Sequence, residues 1–129
     1  MNQNFYDKLN NVIAKDSILI DEPMSRHTTF RVGGPADFFV TPKAKEEVRD
    51  WIRICKEAGM PYYIIGNGSN LLVSDAGYRG VIVQIYKEMN EVKVEGDLVK
   101  AQAGALLSGI AAKALGAELS GFEFASGIP

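Results

Sequence analysis

One amphipathic helical pattern followed by three short apolar runs, YYII (62–65), LLVS (71–74) and VIVQI (81–85), constrains this chain more than any other part of it. Continuous apolar runs are what strands buried on both faces show, so the sheet needs cover on both sides. A strand over residues 37–41, a helix, and the YYII strand with a glycine after it read as a βαβ unit, right-handed by the general rule for parallel crossovers. Thr41 is placed to cap the helix, with Pro42 at its first position, Glu46 and Glu47 near its positive end and Gly59 as its stop. Val48, Trp51, Ile52 and Cys55 recur at i, i+3, i+4 and i+7, which assigns them to a buried face. Cys55 is then core filling and not a nucleophile, because nothing near it in sequence would lower its pKa.

The flanking segments complete an α+β pattern. Phe5, Leu9, Val12 and Ile13 have helical spacing, which predicts an amphipathic helix over residues 3–14. Residues 17–26 read as an irregular connector with a short apolar patch at Ile18, Leu19 and Ile20. Residues 29–32 and 37–41 read as two strands of a hairpin turning at Gly33, Gly34 and Pro35. Residues 91–95 and 98–103 alternate around Gly96-Asp97 and predict a second hairpin. Residues 106–115 predict a second core helix, with Leu106, Leu107, Ile110, Ala111 and Ala114 inward and Gly116 near its end.

Composition narrows the partners. A chain of 129 residues fits a one-domain prior. Its net charge is −2, and its lysines and arginines are scattered with no basic stripe interleaved with aromatics, which argues against nucleic acid. The N-terminal residues lack the charged and apolar regions of a signal peptide, and no apolar run approaches the ~20 residues of a membrane span. A single cysteine, Cys55, fits a reducing compartment, so a cytoplasmic protein is expected. Paired carboxylates and metal-ligand spacings are absent. Glu46-Glu47 reads as a solvated helix start.

The segment GNGSNLLVSD, residues 66–75, carries two glycines, two asparagines and a serine between apolar runs. Gly66 and Gly68 would let the backbone bring its N–H groups close to a ligand, while Ser69 and Asn70 add short donors. Successive N–H groups in such a turn form a concavity suited to phosphate oxygens. The same composition would also serve a tight strand-to-strand turn with no ligand. A Walker A loop is excluded because no lysine follows the glycines. The dinucleotide fingerprint is disfavoured because Leu71, Leu72 and Val73 continue as a strand pattern and do not open a helix.

Three segments carry a family resemblance: HTTFRVGGPADFFVTP (27–42), YIIGNGSNLLVSDAGYRGVIVQI (63–85) and GFEFASGIP (121–129). In order and spacing they resemble the N-terminal half of the UDP-N-acetylenolpyruvoylglucosamine reductase (MurB) family. The resemblance implies an FAD enzyme of peptidoglycan synthesis in which NADPH is the hydride donor and UDP-N-acetylglucosamine enolpyruvate becomes UDP-N-acetylmuramate. It implies the fold of the p-cresol methylhydroxylase and vanillyl-alcohol oxidase flavoproteins, with FAD between two α+β subdomains. Residue by residue, Gly66, Asn67, Gly68, Ser69 and Asn70 correspond to the FAD diphosphate loop, flanked by Ile65 and Leu71. Ala103 and Gly104 match a second stretch near the cofactor, and Ser126, Gly127, Ile128 and Pro129 match the start of a third. The segment over residues 28–37 lies near the cofactor side in the family, although its double glycine reads first as a hairpin turn.

The resemblance divides the chain into an N-terminal helix and connector (1–24), a first FAD-binding subdomain (25–86) and the start of a second (87–129). Because the last residues read as a loop caught partway, a truncated fragment without the substrate domain is expected. Such a piece would be inactive alone, weak in FAD affinity and prone to self-associate through uncovered apolar surface, whereas the full-length protein would be a monomer. The family's catalytic serine, arginine and glutamate have no counterparts here, so no catalytic residue is assigned, and His27 reads as a packing residue. A stand-alone flavin or nucleotide module, or another oxidoreductase of the same fold, are the alternatives.

Overall fold

The computed structural model describes residues 2–128. Its centre is a four-stranded sheet in the order β1-β2-β4-β3, formed by β1 (Ile18–Pro23), β2 (Pro35–Val40), β3 (Tyr62–Ile65) and β4 (Tyr78–Gln84). β2 runs antiparallel to β1 and parallel to β4, and β4 is parallel to β3. The βαβ unit is therefore present as β2, a helix and β3, with β4 inserted between the two strands.

β4 is the strand buried on both faces, and alternation sorts its neighbours. Val81 and Val83 face the same way as Phe38 and Val40, and this side is closed by α1 (Gln3–Asn10) and α2 (Lys45–Ala58). Phe5 meets Phe38 at 5.1 Å between ring centres, and Trp51 meets Tyr62 edge-on at 5.2 Å. Each such side chain contributes about 1.5–3 kcal/mol on burial. Ile82 faces the opposite side with Phe39, Ile65, Ala36 and Met24. Among the described residues no α-helix covers that side. It is closed by the connection between β1 and β2 and by residues 71–78, which bring Leu71, Val73 and Tyr78 against it.

Several expectations change here. α1 stops at Asn10, short of residue 14, although Ile13 is still buried beneath it. The supposed connector at Ile18, Leu19 and Ile20 is a true strand, pairing Ile18 with Val40 and Ile20 with Phe38. The hairpin between residues 29–32 and 37–41 does not form. Residues 29–32 have no ladder partner and leave Phe30 and Val32 exposed, and β2 takes β1 as its antiparallel neighbour. The double glycine has a different use. Gly34 lies so close to the backbone of Asp75 that a Cβ would fall 2.0 Å from the Asp75 carbonyl oxygen, and Gly34 N donates to Ser74 O at 2.9 Å. LLVS likewise lies along the sheet without joining it. β3 is an edge strand with Tyr63 and Ile64 exposed, not a strand buried on both faces.

α2 begins at Lys45 and not at Pro42, because Ala44 is still extended and Pro42 is buried. Glu47 reaches back to accept from Lys43 N at 2.6 Å, satisfying a donor ahead of the first turn. Trp51 and Cys55 are fully buried as expected, Val48 and Ile52 pack at the margin, and Ile54 is buried as well. The helix ends at Gly59, whose φ of 63° is the left-handed cap.

The remaining residues form a second, lighter layer. β5 (Val92–Glu95) and β6 (Leu98–Ala101) make the expected hairpin, and α3 (Leu107–Gly116) follows, with a 3-10 turn at Glu123–Gly127 beside it. Of the five α3 positions expected inward, only Ala114 is buried; Leu107, Ile110 and Ala111 are half-buried and Leu106 is exposed.

Candidate functional site

In a sheet containing parallel strands, ligand sites gather where the strands end at their carboxyl sides. β3 ends at Ile65 and β4 at Gln84, and these two residues are register partners. The chain leaves β3 into residues 66–70 and leaves β4 into Ile85, Tyr86 and Lys87. Both exits meet at one edge of the sheet.

Three hydrogen bonds set the form of the 66–70 loop. Gln84 Nε2 donates to Gly66 O at 3.3 Å, Thr29 N donates to Gly68 O at 3.2 Å, and Ser69 N donates to Asn67 Oδ1 at 3.1 Å. All peptides among the described residues are trans, so the C=O and N–H of one peptide point opposite ways. With the Gly66 carbonyl turned to Gln84, the Asn67 N–H is turned away from it. Among the described residues, the N–H groups of Asn67, Gly68 and Asn70 donate to no protein acceptor. One short loop thus holds three unspent donors.

The loop's two glycines differ in purpose. Gly68 has φ +73°, and a Cβ there would lie 2.0 Å from His27 O, so the fold itself demands glycine. Gly66 has neither constraint: a Cβ would meet nothing within 4 Å. Its missing side chain keeps space open in a cleft of about 300 Å³, lined on one side by Gly66 and Asn67 and on the other by Ala103, Gly104 and Leu106. The turn after β6 is held there by close backbone packing, with Gly104 N donating to Met89 O at 2.8 Å and no room for a Cβ beside Ile85 O. Two of the three segments expected at a cofactor therefore line the same cleft.

The third segment is elsewhere. Ser126 and Gly127 are exposed on the 3-10 turn beside α3, and Ile128 is exposed just after it; none of them is among the residues lining this cleft. Pro129 lies outside the described residues. Of the flanks, Ile65 is buried in the Phe39 and Ile82 cluster, and Leu71 packs against that cluster while bordering a different hollow beside Tyr63 and Tyr78.

A further cavity of about 620 Å³ shares Asn67 and Tyr86 with this cleft in its lining. Arg26, Arg31 and Lys87 line it; Arg26 is paired with Glu22 Oε2 at 3.7 Å, while Arg31 and Lys87 have no carboxylate partner among the described residues. In a chain of net charge −2, this is a local positive field suited to an anion. Arg31 adopts φ 55°, a sparsely populated conformation for a side-chain-bearing residue, held by Arg31 N donating to Thr28 O at 3.2 Å. His27 also borders this cavity. It stacks on Phe39 with ring centres 3.9 Å apart and pairs with Glu22 Oε1 at 2.9 Å, which fits the packing role expected for it. Cys55 lies across the sheet in the α2 core, where burial pushes its thiol up to about 12. No group of three or more His, Cys, Asp or Glu able to hold a metal occurs among the described residues.

Sequence reasoning missed Gln84, Tyr86, Lys87 and Arg31. The signal available was weak: Gln84 is the one polar residue of VIVQI, and only the register shows that it reaches the loop after β3. Gln84 is 3% exposed, and its Oε1 has no partner, a situation that costs about 1–3 kcal/mol.

Residues 36–129 match a family described as an FAD binding domain. A UDP-N-acetylenolpyruvoylglucosamine reductase of Clostridium botulinum (strain Hall) is 52% identical over 131 residues, which is all of this chain and 42% of that protein. The chain thus spans well under half the length of the curated relatives it matches. The crystal structure of the UDP-N-acetylenolpyruvylglucosamine reductase of Thermus caldophilus superposes with a TM-score of 0.65 at 33% identity, over 87% of this chain and 37% of that one. That of p-cresol methylhydroxylase with substrate bound superposes with a TM-score of 0.66 at 18% identity, over 91% and 25%. The latter likeness is one of fold. No helix among the described residues is long and apolar enough to cross a membrane.

Proposed function

The chain belongs to the FAD binding domain family, and on that premise we propose that it is the cofactor-holding part of a UDP-N-acetylenolpyruvoylglucosamine reductase, as its relatives at 52% identity are named. The observation that carries the reading is the approach of residues 66–67 to Ala103 and Gly104 across one cleft, with the unspent donors of Asn67, Gly68 and Asn70 in the loop beside it. The fit to FAD is chemical. A diphosphate is a string of acceptors, and the loop offers donors, a bare glycine and a positive surround.

In this reading the N–H groups of Asn67, Gly68 and Asn70 and the Ser69 hydroxyl hold the diphosphate, while Ile65 and Leu71 anchor the loop to the sheet. Ala103 and Gly104 close the opposite wall. Ser126 and Gly127, on the 3-10 turn, and Ile128 just after it approach the cofactor, Pro129 being the next residue of the same segment in sequence, and the chain divides near residue 86 into a first subdomain and the start of a second. Bound FAD supplies the hydride chemistry, and the chain's residues contribute binding, orientation and charge. The reaction so assigned is the NADPH-dependent reduction of UDP-N-acetylglucosamine enolpyruvate to UDP-N-acetylmuramate, a cytoplasmic step of peptidoglycan synthesis. No residue of this chain is assigned a catalytic role, and this chain by itself should give no turnover. The apolar residues left exposed around α3 support weak self-association of the chain, the parent reductase being a monomer without a nucleic-acid or membrane partner.

Titration of the chain with FAD, followed by flavin fluorescence, tests the binding half of this reading. Saturable binding that is lost in Gly66→Val, with the circular dichroism unchanged, is the expected outcome; binding indifferent to that change would overturn the site. Retained FAD without reduction of the UDP-sugar by the longest product of the gene would leave a flavin-binding module. Reduction of a different substrate would leave another oxidoreductase of this fold.

A further inference from the structure

Gln84 is buried on the same side of β4 as Ile82, at the end of the apolar cluster of Phe39 and Ile65, where it also borders the 620 Å³ cavity beside Asn67. An amide is a poor choice there. Its Oε1 is sealed from solvent and accepts no hydrogen bond, so an apolar side chain of similar length would suit folding better. What the amide gains is one contact, Nε2 to the Gly66 carbonyl at 3.3 Å. The carbonyl acceptor also fixes which way round the amide sits, because only the nitrogen can donate.

From this, resting on the FAD reading of the loop, we propose that Gln84 is a positioning residue for the diphosphate loop: by holding the Gly66 carbonyl inward it turns the Asn67 N–H outward to the ligand. Peptide planarity makes the two directions inseparable. Thr29 holds the Gly68 carbonyl through its own backbone N–H, although the Ser69 N–H that follows is spent on Asn67 Oδ1 and not left for the ligand. Gln84 is the side-chain member of the pair, and therefore the one that substitution can remove. It need not touch the ligand. It keeps the loop from spending binding free energy on ordering its first peptide.

The test compares the wild-type chain with Gln84→Met and Gln84→Leu at pH 7.5, each titrated by NMR with FAD, ADP and inorganic pyrophosphate. Met keeps the length and removes both polar atoms, and Leu removes them in a shorter side chain. Expected is a roughly five- to tenfold loss of affinity for all three ligands in both variants, as for one lost hydrogen bond. Thermal stability of ligand-free Gln84→Met should equal or exceed wild type. The Gly66 carbonyl carbon should move upfield in both variants, a signature that a packing role would not produce. Wild-type affinity in Gln84→Met, or a Gly66 carbonyl shift that stays put, overturns the role of Gln84 alone. A wild-type chain whose loop responds to none of the three ligands overturns the diphosphate reading and this inference with it.

Discussion

The two parts of the molecule, residues 3–85 and residues 86–128, are built to different standards. Sixteen of the nineteen buried apolar residues lie in the first part; the second contributes only Met89, Ala114 and Ala125. The first closes a sheet from both sides. The second leaves Leu98, Leu106, Leu115, Phe124 and Ile128 exposed and is tied to the first through backbone contacts such as Met89 N to Ile85 O and the close approach of Gly104 to Ile85 O. The candidate site lies on the seam between them. Its loop is fixed by the well-packed part, and its far wall hangs on the lightly packed one.

The largest effect should separate the two parts outright. Trp51→Ala should cost about 3–5 kcal/mol in denaturant unfolding, as for a large aromatic removed from a closed core. Leu115→Ala should stay within about ±0.5 kcal/mol. Comparable losses at both positions would break the comparison and mean that α3 carries stability its exposure does not reveal.

The second effect sharpens the comparison inside the loop. Gly68→Ala must place a Cβ against His27 O at positive φ and should destabilise by about 1–3 kcal/mol. Gly66→Ala meets no protein atom and should stay within about 1 kcal/mol of wild type in stability, while weakening FAD. Opposite ranking of the two variants in thermal melts would show that the glycine demanded by the fold and the glycine left bare for a ligand had been confused.

A pH effect should be confined to the well-packed part. Burial raises the Cys55 thiol from 9.0 to about 12. Below pH 9 both folded and unfolded chains keep this proton, so stability is flat with respect to it; as pH climbs from 9 towards about 12 the unfolded thiol ionises first and stability falls. Tyr78, also raised chiefly by burial, adds to the same alkaline loss. Cys55→Val should remove part of that slope in urea melts recorded between neutral and alkaline pH. An unchanged slope would mean that the thiol is not sealed in the α2 core.

Legibility in the sequence follows the same division between strong and weak physical signals. α2 and the β5-β6 hairpin could be read because helical periodicity, a capping glycine and a Gly-Asp turn are local. The loop at Gly66 could be read from its composition and from a family resemblance. β1 was missed because only Ile18 of its three consecutive apolar residues is buried, and its partner lies well along the chain. Residues 29–32 and LLVS were read as strands from β-branched and apolar content. Propensity supplies no ladder partner, however: residues 29–32 turn, with Arg31 in the left-handed region and Phe30 and Val32 exposed, while Leu71 and Val73 pack over the side of the sheet without an α-helix. Gln84 could not be read at all, since its role depends on the register that sets it beside Ile65.

The smallest expected effect concerns the exposed face of the lightly packed part. Leu115 is 73% exposed and Phe124 74% exposed, so a charge at either place meets water and not a core. Leu115→Lys should leave the melting curve within about ±0.5 kcal/mol of wild type, yet it should lower the concentration-dependent increase in apparent mass seen by sedimentation or light scattering. If both stability and association stay put, the contact lies elsewhere, with the exposed β3 edge at Tyr63 and Ile64 as the next place to substitute. If stability falls together with association, Leu115 is covered in solution by a neighbouring copy, and part of what holds the second region in place comes from that copy and not from its own chain.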